Sequence, residues 1–217
     1  MSAWLEPADG PWPTDYRRIR WGLYLRPDAI TCRDQAMIHD LVERQFGLRA
    51  GGAFMPHATV KGFFLSRATT GQLTAALDPL LRTSSSFPVH NAGPIRYGRA
   101  TTVLDIQKQP DGTNNDCFTA FHTACFDALA PFVDAHCDFT PREWSRERFH
   151  GHLTLTMADC PEFVADEVAT FVDDLKPIGA TGFDARHIHL FAFTSLDWAG
   201  PWWETLRWRL MHAWTLA

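Results

Sequence analysis

Apolar and polar residues change period along this chain, and the changes mark its elements. "IRWGLYLR" (19–26) alternates, as a strand with one buried face does. "DAITCRDQAMIHDLVERQF" (28–46) places Ile30, Met37, Ile38, Leu41 and Val42 near helical spacing. Gly51 and Gly52 then break the chain before "FMPHATVKGFF" (54–64), a second strand-like run. "TTGQLTAALDPLLRT" (69–83) predicts a helix whose last turn Pro79 should disturb. "FPVHNAGPIRYG" (87–98) predicts a strand with a Gly-Pro irregularity.

The same order then returns. "TTVLDIQK" (101–108) is strand-like and "DCFTAFHTACFDALAPFVDA" (116–135) is helical. Another strand is expected at 150–157, then a helix at 161–175 with Pro161 suited to its first turn. Runs 182–193 and 204–216 close the chain as strands. Each half reads strand, helix, strand, helix, strand. The expected class is therefore α+β, a single bilobal domain with lobes at about 19–98 and 101–216. The proline-bearing segment 1–18 reads as an arm.

The central strand of each half carries the same triplet. These are His57-Ala58-Thr59 and, within "FHGHLTLTM" (149–157), His152-Leu153-Thr154. Residues two apart on a strand share a face. Two lobes packed about a pseudo-twofold axis would bring both imidazoles and both hydroxyls to one cleft. A neutral imidazole can take a proton from an attacking oxygen, and a protonated one can give a proton to a leaving oxygen. Threonine hydroxyls can hold the charged oxygens of a phosphorus centre. The arrangement suits phosphodiester chemistry and requires no metal or other cofactor.

Composition narrows the partners. The 217 residues hold 46% hydrophobic and 21% charged side chains, so a core can form without disulfides or metal. The formal net charge of -5 disfavours a protein that coats duplex DNA, which needs a basic excess. A nucleotide or an RNA end is the expected phosphodiester partner. Five scattered cysteines without a C-x-x-C motif point to reduced thiols. No basic leader followed by an apolar run opens the chain, and no long apolar run occurs. The expectation is a cytoplasmic monomer without membrane association.

The paired His-x-Thr triplets resemble the two signatures of the two-histidine (2H) phosphoesterase superfamily. That group includes the 2′-5′ RNA ligases and RNA 2′,3′-cyclic phosphodiesterases. The resemblance spans roughly 19–216. It implies a bilobal fold of mainly antiparallel sheets lining a central cleft, with helices outside. It also implies metal-independent hydrolysis of a nucleoside or RNA-terminal 2′,3′-cyclic phosphate. His152 would then activate water and His57 protonate the leaving oxygen, with the reverse assignment open, while Thr59 and Thr154 hold phosphoryl oxygens. "HATVKGFF" departs from the common "H-x-T-L-x-F" form, since Gly62 stands where phenylalanine would and Phe63 follows. Cleavage or ligation of 2′-5′ linkages, or nucleotide binding without catalysis, are the alternatives.

Further residues enter as candidates by position. Lys61 shares the His57 face if its strand is regular, and could meet phosphate or lie as a surface lysine. His150 shares the face of His152 and could flank the phosphate. Tyr24 and Trp144 could stack on a base. Trp144 lies in a charged insertion, 138–149, with Arg142, Arg146 and Arg148. The pairs His150/His152 and His187/His189 could instead ligate metal, although no carboxylate follows at the usual spacing.

Overall fold

Seven strands form one antiparallel sheet in the computed structural model, which describes residues 12–137, 139 and 149–217. In spatial order they are β4 (Pro94–Tyr97), β5 (Thr101–Asp105), β6 (His152–Thr156), β2 (Ala58–Phe64), β1 (Ile19–Arg26), β8 (His187–Thr194) and β9 (Arg207–Thr215). A separate pair joins β3 (Phe87–His90) to β7 (Gly182–Ala185). The helices are α1 (Ala29–Phe46), α2 (Thr70–Leu81), α3 (Asp116–Leu129) and α4 (Ala165–Asp174).

The two central strands belong to different halves of the chain. β2 and β6 meet at the pair Ala58–Leu153. The flanking elements are exchanged: β4 of the first half pairs with β5, and β8 of the second half pairs with β1. The helices are exchanged too. α1 packs against β6 and α4, while α3 packs against β2 and α2. The wings in space therefore do not follow the sequence division at 98–101.

One apolar core fills the helix side of this sheet. Leu23, Leu25, Val60, Leu104, Leu153, Leu155, Ile188 and Leu190 meet Ile38, Leu73, Leu77, Phe118 and Val168 from the four helices. The helices begin where capping side chains stand. Asp28 Oδ1 accepts from the N–H groups of Ile30 and Thr31. Thr69 and Gln72 make a reciprocal capping box. Asn115 Oδ1 accepts from the Phe118 N–H. Helix α1 stops at Gly47, whose φ of 73° is open to glycine at little cost.

Three predicted elements differ. Run 87–98 is two strands in different sheets, broken around Gly93 with φ 95°. Run 182–193 also splits between sheets, at Arg186. Helix α2 continues through Pro79 to Leu81, and the Arg82 N–H still reaches the Asp78 carbonyl. Pro79 lies close to the helix end, so its missing N–H costs one bond without stopping the last turn. Among the described residues no helix is long and apolar enough to cross a membrane.

Candidate active site

The central strand pair sets four side chains around one point. Continuing the antiparallel register one step either way from Ala58–Leu153 places His57 opposite Thr154 and Thr59 opposite His152. Leucines and valines on these strands face the helices, so alternation turns the histidines and threonines to the other face. All four line one cavity of about 200 Å³. The two halves of the chain have thus each contributed one His–Thr couple.

Both imidazoles are locked in the same way. His57 Nδ1 lies 2.7 Å from the Met55 carbonyl oxygen, and His152 Nδ1 lies 2.7 Å from that of His150. A carbonyl only accepts, so Nδ1 carries the proton. Nε2 is left as the nitrogen available to the cavity. The strands themselves are held from below. Gln35 Nε2 and His39 Nε2 of α1 reach the Thr154 carbonyl at 2.9 and 3.0 Å, and His122 Nδ1 of α3 reaches that of Val60 at 2.6 Å.

The walls differ on the two sides. His57 meets the Tyr24 ring edge-on at 4.5 Å and the Phe54 ring at 5.5 Å. Phe54, Phe63, Phe193 and Trp202 close this side as an aromatic cluster. His152 stacks on Tyr97 at 5.0 Å, and Tyr97 also stacks on His150 at 5.4 Å. Behind His150, Asp105 Oδ1 stands 3.1 Å from Nε2, close enough for an ion pair but off the line of a hydrogen bond. The floor includes Gly51, where a Cβ would sit 2.7 Å from the Leu155 carbonyl oxygen. A side chain there would push the floor off β6.

Burial pushes the His57 pKa down to about 4, against the Met55 hydrogen bond that favours its charged form. His152 is also pushed down by burial, while the Asp105 carboxylate opposes the shift. For His57 the unfolded chain binds the extra proton between about pH 6.5 and 4, so stability rises with pH there. The contribution is fully present above pH 6.5 and is lost as pH falls towards 4. It amounts to about 3 kcal/mol. Urea unfolding at pH 7 and at pH 4 should show His57→Gln losing about 2–3 kcal/mol less than the parent chain. An equal loss in both would remove His57 as the source.

The other sequence candidates separate. Tyr24 lines the cavity but is 3% exposed, packed edge-on against His57. It supports that imidazole and has no open face for a base. Burial raises its phenol pKa, so it stays protonated. Lys61 does not reach the cavity. The β1–β2 register slips twice, between the pairs at Trp21 and Leu23 and between those at Leu23 and Tyr24. The bulges turn Val60 and Lys61 together to the helix side and return Gly62 and Phe63 to the cavity. Lys61 Nζ lies 5.3 Å from the Phe126 ring of α3, and burial lowers its pKa to about 8. His150 stands behind His152 and beside Asp105, not on the cavity wall. Trp144, with Arg142, Arg146 and Arg148, lies outside the described residues.

His187 and His189 stand two strands away from β2, outside the cavity. Among the described residues no group of three or more His, Cys, Asp or Glu side chains is placed to hold a metal ion. Sequence reading missed Phe54, Tyr97, Asp105 and Met157. Phe54 stands three residues before His57 and was within reach of a local argument. Tyr97 arrives from another part of the fold, without a local signal.

An antiparallel sheet with two His-x-Thr couples on adjacent central strands, and helices on its far side, defines a two-histidine phosphoesterase. Residues 29–195 match the family model described as the 2′-5′ RNA ligase superfamily, and the chain belongs to that family. The fold is similar to that of Escherichia coli LigT complexed with 3′-AMP, at TM-score 0.55 and 14% identity, covering 92% of this chain and 99% of LigT. The same protein complexed with ATP matches at TM-score 0.53 and 15% identity, covering 91% and 97%. TT0787 of Thermus thermophilus matches at TM-score 0.54 and 10% identity, also covering 91% and 97%. No curated protein matches the chain in sequence.

Proposed function

We propose that this chain hydrolyses a nucleoside or RNA-terminal 2′,3′-cyclic phosphate by paired histidine acid–base catalysis. The observation that carries the reading is the pair of imidazoles in one cavity, each with Nδ1 tied to a carbonyl and Nε2 left for chemistry. One Nε2 takes a proton from water as its oxygen bonds to phosphorus. One P–O bond to the ribose breaks, and the departing oxygen takes a proton from the other Nε2. Net, one water is consumed and a phosphate monoester is released, and solvent exchange restores both imidazoles. Thr59 and Thr154 donate to the phosphoryl oxygens, which gain charge at the transition state.

The surroundings favour a division of labour opposite to the one expected from sequence. His57 sits among aromatic rings that disfavour its charged form, so it serves as the base. His152 is also disfavoured in its charged form by burial, but the Asp105 carboxylate on the paired strand acts in the opposite direction, so it is assigned as the acid. An anionic substrate between them raises both pKa values, which brings the acid into working range.

The test is turnover of the four nucleoside 2′,3′-cyclic monophosphates in EDTA, with 2′- and 3′-phosphate products resolved by chromatography. Multiple turnover is expected. Tight binding of these nucleotides with no product would replace the enzyme by a binding module. Activity confined to 2′-5′ dinucleotides would redirect the substrate.

A further inference from the structure

The sheet face that carries the His–Thr quartet also carries a second cluster. Arg26 ends β1, and His187 and His189 stand on β8, paired with Arg26 and Tyr24 respectively. Leu25, Ile188 and Leu190 fill the core, so alternation turns Arg26, His187 and His189 to the cavity side. The next strand leaves them uncovered, since it sets exposed Ala213 and Thr215 opposite His189 and His187. Carrying the β1–β2 register one step beyond Leu25–Ala58 sets Arg26 beside His57.

The electrostatic company of this cluster is positive. The charges acting on His187 are Arg26 and Arg186, and those acting on His189 are Arg26 and His187. The carboxylate closest in sequence, Asp28, is spent on the α1 cap, where Oδ1 accepts from Ile30 and Thr31 and Oδ2 accepts from the Thr31 hydroxyl. A solvated strand end is usually laced with both signs. Here a guanidinium and two imidazoles stand together, and among the described residues no carboxylate is one of the groups that act on the imidazoles, which is how proteins prepare a place for an anion.

The position decides which anion. Strands β2, β1 and β8 are successive, at about 4.8 Å spacing, so Arg26 lies about 5 Å and the two histidines about 10 Å from the His57–Thr59 couple. That is the scale of one nucleotide unit.

We propose that Arg26, His187 and His189 bind a second phosphate of the substrate, the one on the 5′ oxygen of the nucleoside whose cyclic phosphate reacts. The inference rests on the reading above, and it selects 5′-phosphorylated nucleotides or RNA ends over free nucleoside cyclic phosphates. Arg26 supplies the fixed charge, and each histidine supplies an N–H donor.

Calorimetric titration tests it with ligands that need no turnover: 2′-AMP, adenosine 2′,5′-bisphosphate, and the dinucleotide ApA with a terminal 2′-phosphate. The bisphosphate should bind about tenfold tighter than 2′-AMP, the worth of one charge-assisted contact. In Arg26→Gln and in His189→Gln, each checked for an unchanged far-UV spectrum, that ratio should fall towards one. A dinucleotide that shares the advantage marks an RNA end as the source of the phosphate; one that lacks it marks a 5′-monoester. A ratio of one in the parent chain, a ratio that persists in both variants, or no binding of any ligand overturns the subsite. If the ratio behaves as expected while cyclic phosphates are not turned over, the reaction assigned above fails and the subsite stands.

Discussion

On the proposed mechanism, replacing His57 or His152 by alanine should lower kcat on a 2′,3′-cyclic nucleotide by about 10²–10⁴-fold each, the range for a lost general acid or base. The double variant falls little further, because groups that act as a unit are not additive. The reason is the shared cavity: one imidazole without the other can complete half of the proton traffic, and the bond change needs both halves. KM should move less than kcat if, as proposed, Thr59 and Thr154 hold the phosphate, since both remain in these variants. Single-turnover kinetics with each variant, beside a far-UV spectrum to confirm folding, makes the measurement. Loss in one variant alone would leave a single-histidine mechanism, and no loss in either would end the proposal.

Gly151→Ala should be almost as damaging, although it touches no substrate. A Cβ at Gly151 would lie 2.6 and 2.7 Å from two atoms of the Phe118 ring and 3.1 Å from Gln107 Oε1. Phe118 cannot retreat. It is fully buried, with Phe149 5.1 Å and Phe87 5.8 Å from its ring. Gln107 cannot retreat freely either, because its Oε1 accepts the Gly151 N–H at 3.0 Å. The entrance of β6 must therefore move, and His152 is its first residue. Overpacking of this kind costs about 1–3 kcal/mol. A displacement of about 1 Å at the imidazole costs about 10²-fold in kcat. Thermal unfolding and steady-state kinetics report the two effects. Phe118→Leu in the same chain should restore part of the activity by making room. Unchanged stability and full activity in Gly151→Ala would show that β6 enters the site more loosely than its contacts indicate.

Local order alone was enough for the chemistry at the centre. Alternation through "IRWGLYLR" set β1 at Ile19–Arg26, and the two His-x-Thr triplets placed imidazole and hydroxyl on one face of each central strand. A strand of period two needs no partner to decide which residues share a face. The same argument failed at Lys61 because a bulge depends on the neighbouring strand. Only the pairing with β1 inserts the extra residues that turn Lys61 to α3 and Phe63 to the cavity.

What belongs to the chain by itself is the repeated element order and the two His–Thr couples, since period and spacing are properties of neighbours along the backbone. What the tertiary structure decided is where those couples meet and what surrounds them. The exchange of β4 and β8 between halves brings Tyr97 against His152 and His189 beside Tyr24. The environments on which the proposed base and acid roles rest come from distant segments: burial among aromatic rings around His57, and the Asp105 carboxylate of β5 near His152. Contacts between residues far apart in the chain depend on how sheets and helices stack, and no local period encodes them.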